Sequence, residues 1–263
     1  MINFLKKIII KIKIILFFFL NPKFIKGLLP LIIDFIYRRK TRHKDRESSK
    51  RICKEKSIST LEALKFILNK NSFENFNKIY SKEILIADKA IKDSNTKLGG
   101  AGELDLIYWL VKIKKIKYSL ETGVASGWSS LAILLAQKDI KNSLLISIDM
   151  PYPWIKDSFK YVGLAVPKWL RGKWELIREN DRIGLPKAFD RNIKFGLVHY
   201  DSDKSIYGKT WALNYIYSKL EVNSIFLVDD IGDNLTFHEF VKENNLKHLI
   251  VNSKGKFIGI III

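Results

Sequence analysis

From residue 118 to its end, the chain alternates short apolar runs with helical stretches, then closes on two apolar runs joined by a very short turn. That pattern constrains the fold more tightly than any other feature. Residues 118–121, 144–149, 174–178, 196–200 and 224–228 read as strands, and residues 129–137, 185–190, 207–220 and 235–244 carry helical spacing. Strands alternating with helices imply a parallel sheet covered on both faces. The last two runs, 247–251 and 257–263, turn through Ser253-Lys254-Gly255. They must pair antiparallel, because a parallel return needs a crossover of about a dozen residues or more. The expected fold is α/β, a mostly parallel sheet finished by a C-terminal antiparallel hairpin.

This sheet domain is placed at residues 101–263, behind a basic apolar arm (1–45) and a linker with a helical extension (46–100). Within the extension, the polar stretch 41–58 reads as linker. Ser59-Thr60-Leu61-Glu62 has the form of a capping box opening a helix through Leu68. Helical spacing recurs at 73–91 and 103–114, separated by Gly99-Gly100. A single cysteine, Cys53, excludes an intramolecular disulfide framework and a Cys-based zinc site.

The net charge of +19 is unevenly spread: residues 1–60 hold sixteen Lys/Arg against four Asp/Glu, and the remaining 203 hold thirty against 23. The basic character therefore belongs to the arm. Its longest uncharged apolar run, 14–20, is far short of the ~20 residues that span a bilayer. A longer span would bury Lys11 and Lys13, at roughly 2.5–3.5 kcal/mol each. The arm fits membrane-surface segments broken at Pro22 and near Pro30, with Arg38-Arg39-Lys40 meeting anionic headgroups at the cytoplasmic face. The competing reading packs its Ile, Leu and Phe residues on the body or on a second copy in a homo-oligomer. No small-residue cleavage pattern follows the apolar run, which argues against a signal peptide.

The first strand ends at Glu121 and enters Thr122-Gly123-Val124-Ala125-Ser126-Gly127. Gly123 and Gly127 let the backbone turn sharply and approach a ligand, at a strand end where open α/β sheets bind them. The spacing is neither the dinucleotide Gly-x-Gly-x-x-Gly nor a phosphate loop. Asp149, closing the next strand, offers acceptors for both hydroxyls of a ribose. Without a ligand, the same glycines are a tight strand-to-helix turn.

Two further strands end in acids, at Asp201-Ser202-Asp203-Lys204 and at Asp229-Asp230. Asp201, Asp229 and Asp230 would share one crevice, where three carboxylates repel unless a cation, hydrogen bonds or protonation relieves them. Hard oxygen ligands of this kind suit Mg²⁺ or Mn²⁺. The alternative is that Asp201 and Asp229 accept loop amides and that Lys204 partners Asp203.

The stretches ETGVASGWSSLA, ISIDMPYP, LVHYDSDKSIYG and FLVDDIGDN resemble the class I S-adenosylmethionine-dependent methyltransferases. Within these the chain is similar to the bacterial group that includes cephalosporin-hydroxylase-type enzymes and the methyltransferase-24 family. The resemblance implies a Rossmann-like sheet and S-adenosylmethionine as cofactor. Glu121, Gly123, Ser126 and Gly127 would hold its methionine part and Asp149 its ribose, with adenine near Asn180 or Asp181. The acidic strand ends also resemble those of catechol-type O-methyltransferases. That likeness implies Asp201, Asp229 and Asp230 as metal ligands, Asp201 and Lys204 as catalytic, and Lys204 as general base. Many members of the bacterial group carry His where Lys204 stands.

The expected activity is O-methylation of a hydroxylated small molecule or glycan precursor. A nucleic-acid amino-methyltransferase would show Asn/Asp-Pro-Pro-aromatic where Tyr200-Asp201-Ser202-Asp203-Lys204 stands, so no nucleic-acid partner is expected. The alternatives are metal-independent N-methylation on the same fold and a non-catalytic binding or assembly protein. The aromatic stretch 151–174 reads either as a lid, whose Tyr152, Trp154 and Trp169 stack on the acceptor, or as an insertion whose rings are core.

Overall fold

A computed structural model describes residues 12–25, 32–33, 45–96 and 98–263. The break expected near Pro30 and the cluster Arg38-Arg39-Lys40 lie outside the described residues. Eight strands form one sheet: β1 (Ser57–Ile58), β2 (Tyr118–Thr122), β3 (Leu144–Ile148), β4 (Trp174–Ile177), β5 (Leu197–Tyr200), β6 (Ile225–Val228), β7 (His248–Ser253) and β8 (Lys256–Ile262). Their order across the sheet is β1-β7-β8-β6-β5-β2-β3-β4. All neighbours are parallel except β6–β8 and β7–β8, so the antiparallel hairpin folds back into the sheet beside β6.

From β2 the chain winds outward through β3 to β4, then returns to β5 on the other side of β2. The strand order reverses there, leaving a crevice beyond the carboxyl ends of β2 and β5. One apolar layer packs helices Thr60–Leu68, Leu104–Ile113 and Trp128–Gln137 on the sheet. A second, built by Asp181–Phe189, Ile206–Tyr217 and Thr236–Glu243, covers the other face.

Three local features depart from the sequence reading. First, residues 45–56 are helical and lead into β1, which pairs with β7; this part of the 41–58 stretch is no linker. Ser49 donates to the Ile231 carbonyl at 2.7 Å and Cys53 is fully buried, so a narrow stripe holds an otherwise charged helix to the body. Second, the helical pattern 73–91 breaks at Tyr80 into Phe76–Ile79 and Ser81–Asp93. Third, the aromatic insertion is mostly irregular, with short 3₁₀ turns at Ser158–Lys160 and Lys168–Lys173. The capping box forms as expected, with the Ser59 N–H donating to Glu62 at 2.7 Å and the Glu62 N–H to Ser59 Oγ at 3.2 Å.

In the arm, residues 12–20 are helical and end before a Pro22–Phe24 turn. Among the described residues no helix is long and apolar enough to cross a membrane.

Candidate active site

The glycine loop leaves β2 and reaches helix Trp128–Gln137 through two backbone positions that favour glycine, Gly123 at φ +81° and Gly127 at φ +90°. A Cβ on Gly123 would stand 2.1 Å from the Asp201 carbonyl oxygen, and one on Gly127 would stand 2.7 Å from Gly163 Cα. The loop is therefore pressed between the end of β5 and the aromatic insertion. The insertion is stitched to it: Gly163 N–H donates to the Ala125 carbonyl (2.9 Å) and Ala165 N–H to that of Ser126 (2.8 Å). Val162, Val166 and Leu170 are buried behind these bonds, so this half of the insertion is core. Ser126 is buried beneath it.

Asp149, at the end of β3, accepts the Ala125 N–H at 2.9 Å and so ties the loop to its neighbouring strand. Burial raises its pKa to about 6, against the opposing pull of that N–H and of Arg178. Asp149, Tyr152, Trp154, Asn180, Asp181 and Lys204 share a cavity of about 320 Å³. Ile14 and Phe18 of the arm complete its wall. Asn180 is buried, and among the described residues neither its amide oxygen nor its nitrogen is partnered, although it precedes a helix where capping is usual. Asp181 is pushed up to about 7 by burial and then by Asp203, with the Ser202 hydroxyl opposing. Trp154 is half exposed at the cavity, whereas Trp169 is exposed outside it.

Glu121 does not reach this cavity. It is fully buried and accepts Ser130 Oγ at 2.5 Å and Ser147 Oγ at 2.8 Å. Sheet register explains the cluster, because Ser147, Glu121 and His199 lie side by side on β3, β2 and β5. His199 Nδ1 stands 3.8 Å from Glu121 Oε1, and its Nε2 stands 3.4 Å from Asp229 Oδ1. Burial alone would lower the imidazole pKa, but Asp229 and Glu121 outweigh it and raise it to about 10. For Asp229 burial works upward, yet His199, Lys204 and Lys209 hold its carboxyl below the usual value. Sequence reasoning missed His199; the available signal was a histidine inside the otherwise apolar strand Leu197–Tyr200. It also missed Lys209, a buried lysine whose Nζ donates to the Asp229 and Asp230 carbonyls at 3.0 and 3.2 Å.

Lys204 bridges the remaining acids, donating to Asp201 Oδ1 at 3.0 Å and to Asp230 Oδ2. Asp201 is raised above the usual carboxylate value by burial and by Asp229, with Lys204 opposing. The donor chemistry of the three acids suits a hard divalent cation, but their disposition does not fit one. The Lys204 ammonium holds Asp201 and Asp230, Asp229 faces His199, and among the described residues no group of three or more His, Cys, Asp or Glu could hold a metal. The crevice thus balances its acids with side-chain cations.

Residues 120–231 match the family model described as a methyltransferase domain. No curated protein sequence matches the chain. Among solved structures, the chain is similar to an O-methyltransferase from Bacillus cereus in complex with S-adenosylhomocysteine, with TM-score 0.57 and 10% identity, covering 80% of this chain and 100% of that one. It is also similar to an O-methyltransferase from Streptomyces achromogenes in complex with S-adenosylmethionine, with TM-score 0.54 and 14% identity, covering 77% and 95%. A methyltransferase from Podospora anserina bound to S-adenosylhomocysteine gives TM-score 0.53 and 15% identity over 72% and 97%. At these identities the likeness is one of fold.

Proposed function

We propose that this chain, whose residues 120–231 form a methyltransferase domain of the class I fold, binds S-adenosylmethionine at the β2/β5 switch and methylates a hydroxyl of a small-molecule or glycan-precursor acceptor. The observation that carries this reading is Asp149, a buried carboxylate that both holds the glycine loop through Ala125 and lines the cavity beyond it. Its acceptors suit ribose hydroxyls. The unpartnered Asn180 amide, with donors and an acceptor side by side, suits the edge of adenine, and Asp181 lies beside it. Gly123 and Gly127 let the loop pack against the end of β5 and the insertion, which sets the backbone that receives the methionine part. Glu121 and Ser126, expected to touch the cofactor, act from behind the loop by fixing its shape.

When bound, S-adenosylmethionine supplies an electrophilic methyl group, which passes to the acceptor oxygen and leaves S-adenosylhomocysteine. The acceptor's proton goes to Asp201, whose proton affinity is raised by burial and by Asp229. Lys204, expected from sequence to be the base, is placed as a donor to two carboxylates. Its charge stabilises the forming oxyanion instead. Alignment of acceptor and methyl group supplies much of the remaining rate. The residue set routes no step through a metal: a divalent ion would have to displace Lys204 from Asp201 and Asp230. The basic arm makes peripheral contact with the cytoplasmic membrane face.

Calorimetry with S-adenosylmethionine, followed by labelled methyl transfer into a cell extract with and without chelator, tests the reading. Tight binding and chelator-resistant transfer are expected, and Lys204→Gln should cut turnover by about 10²-fold or more with little change in cofactor affinity. Absence of cofactor binding would sink the proposal. Transfer lost to chelator and restored by Mg²⁺ would return the crevice to a metal.

A further inference from the structure

The arm does more than cover the cavity. A groove of about 720 Å³ runs between residues 13–24 and the insertion residues 151–159. Leu16, Phe17, Leu20, Phe24, Trp154 and Phe159 give it apolar walls, while Lys13, Lys23, Lys156 and Arg178 line it with Asp157, and Asp149 of the neighbouring cavity also lies near Arg178. Arg178 is the unusual member. Its Nε and both Nη atoms are buried, and none has a hydrogen-bond partner among the described residues. Buried polar groups are nearly always paired, and the guanidinium fork matches a phosphate. The outward face of the same helix is apolar: Ile12, Ile15, Leu16, Phe19 and Leu20 are 51, 65, 51, 82 and 73% exposed. Its inward residues, Ile14 and Phe18, line the active-site cavity.

We propose that this groove seats a phosphate-bearing lipid while the outer face of residues 12–20 rests in an anionic bilayer. The phosphate lies against Arg178 with Lys13 and Lys23 nearby, and the hydrocarbon follows Leu16, Phe17, Leu20 and Phe24. Charge complementarity favours a bilayer as occupant over a second copy. The groove presents Lys13, Lys23, Lys156 and Arg178 beside Asp157, so two such faces would repel one another, whereas each cation near an anionic surface adds about 1 kcal/mol, roughly fivefold in affinity. Residues 151–154 wall both groove and cavity. A lipid held here presents its headgroup at the candidate methyl-transfer crevice, which narrows the acceptor to a hydroxyl carried on a lipid. That last step rests on the methyltransferase reading; the lipid seat does not.

The test is flotation of the full chain with vesicles of phosphatidylcholine alone and of phosphatidylcholine mixed with phosphatidylglycerol. Mixed vesicles should bind about tenfold or more tightly than neutral ones, with Phe19→Asp/Leu20→Asp abolishing most of the binding and Arg178→Gln weakening it about fivefold. Equal partition into both vesicles, or indifference to Arg178→Gln, overturns the proposal. So does competition by inorganic phosphate at concentrations that leave vesicle charge unscreened, which would mark a site for phosphate alone. A dimer that Phe19→Asp/Leu20→Asp converts to monomer, with vesicle binding unchanged, would assign the face to a second copy. Urea unfolding of each variant checks folding, and the unaltered chain is tested separately by S-adenosylmethionine calorimetry. That calorimetry separates the two proposals, since a chain that binds lipid but no cofactor refutes only the enzymatic reading.

Discussion

Replacing His199 by glutamine should expose how this crevice balances its charge. His199 is 2% exposed, and its imidazole stands 3.4 Å from Asp229 and 3.8 Å from Glu121. Glutamine keeps a donor of similar reach and removes the cation, leaving two buried carboxylates without their shared counter-charge. Breaking a buried pair by deleting one partner costs about 3–5 kcal/mol. The pKa gives a comparable figure: a rise from 6.5 to about 10 corresponds to stabilisation on the order of 3–5 kcal/mol at about 1.4 kcal/mol per pH unit. The folded-state value lies above the unfolded one, so this stability is fully present below pH 6.5 and is lost as pH rises through about 10. Urea unfolding of both proteins at pH 6, 8 and 10 measures the gap directly. The variant should be less stable by about 3–5 kcal/mol at pH 6, by about half that at pH 8, and nearly equal above pH 10. A gap below about 1 kcal/mol that does not change with pH would mean that His199 is neutral and the ion-pair argument is wrong.

Two further predictions concern the loop and its acid. Gly123→Ala puts a Cβ 2.1 Å from the Asp201 carbonyl at φ +81°, so it should lower stability by more than about 2 kcal/mol and weaken S-adenosylmethionine at least tenfold by calorimetry. Gly172→Ala meets nothing within 4 Å and should be silent in both assays. Asp149 holds its proton up to about pH 6, above its ordinary 3.8, so its burial costs stability above pH 6 rather than adding any. If its ionised form binds ribose, cofactor affinity should fall about tenfold between pH 7 and pH 5. Asp149→Asn should bind weakly with no such trend, and a wild-type affinity flat across this range would remove Asp149 from the ribose contact.

Much of this protein follows from local rules that a sequence carries openly. Short apolar runs and period-3.6 patterns placed β2 to β8 and most helices but not β1, turn length alone forced the β7–β8 hairpin to be antiparallel, and the glycine loop with Asp149 marked the crevice. Helix 45–56 and the break at Tyr80 escaped, because a narrow buried stripe in a charged segment and a one-residue interruption barely alter periodicity. What only tertiary structure decided is which charged groups meet. Glu121 and His199 are 78 positions apart and become neighbours through the β2–β5 register, which no local pattern encodes. That register sets Glu121, expected to contact the cofactor, and Asp229, expected to bind a metal, on either side of the His199 imidazole. Lys204 likewise found Asp201 and Asp230 across two strand ends. The arm's composition announced an apolar, basic surface, but its docking set Ile14 and Phe18 against the cavity and left Phe19 and Leu20 outside. Residue types set which interactions are available; long-range register and docking determine which of them are made.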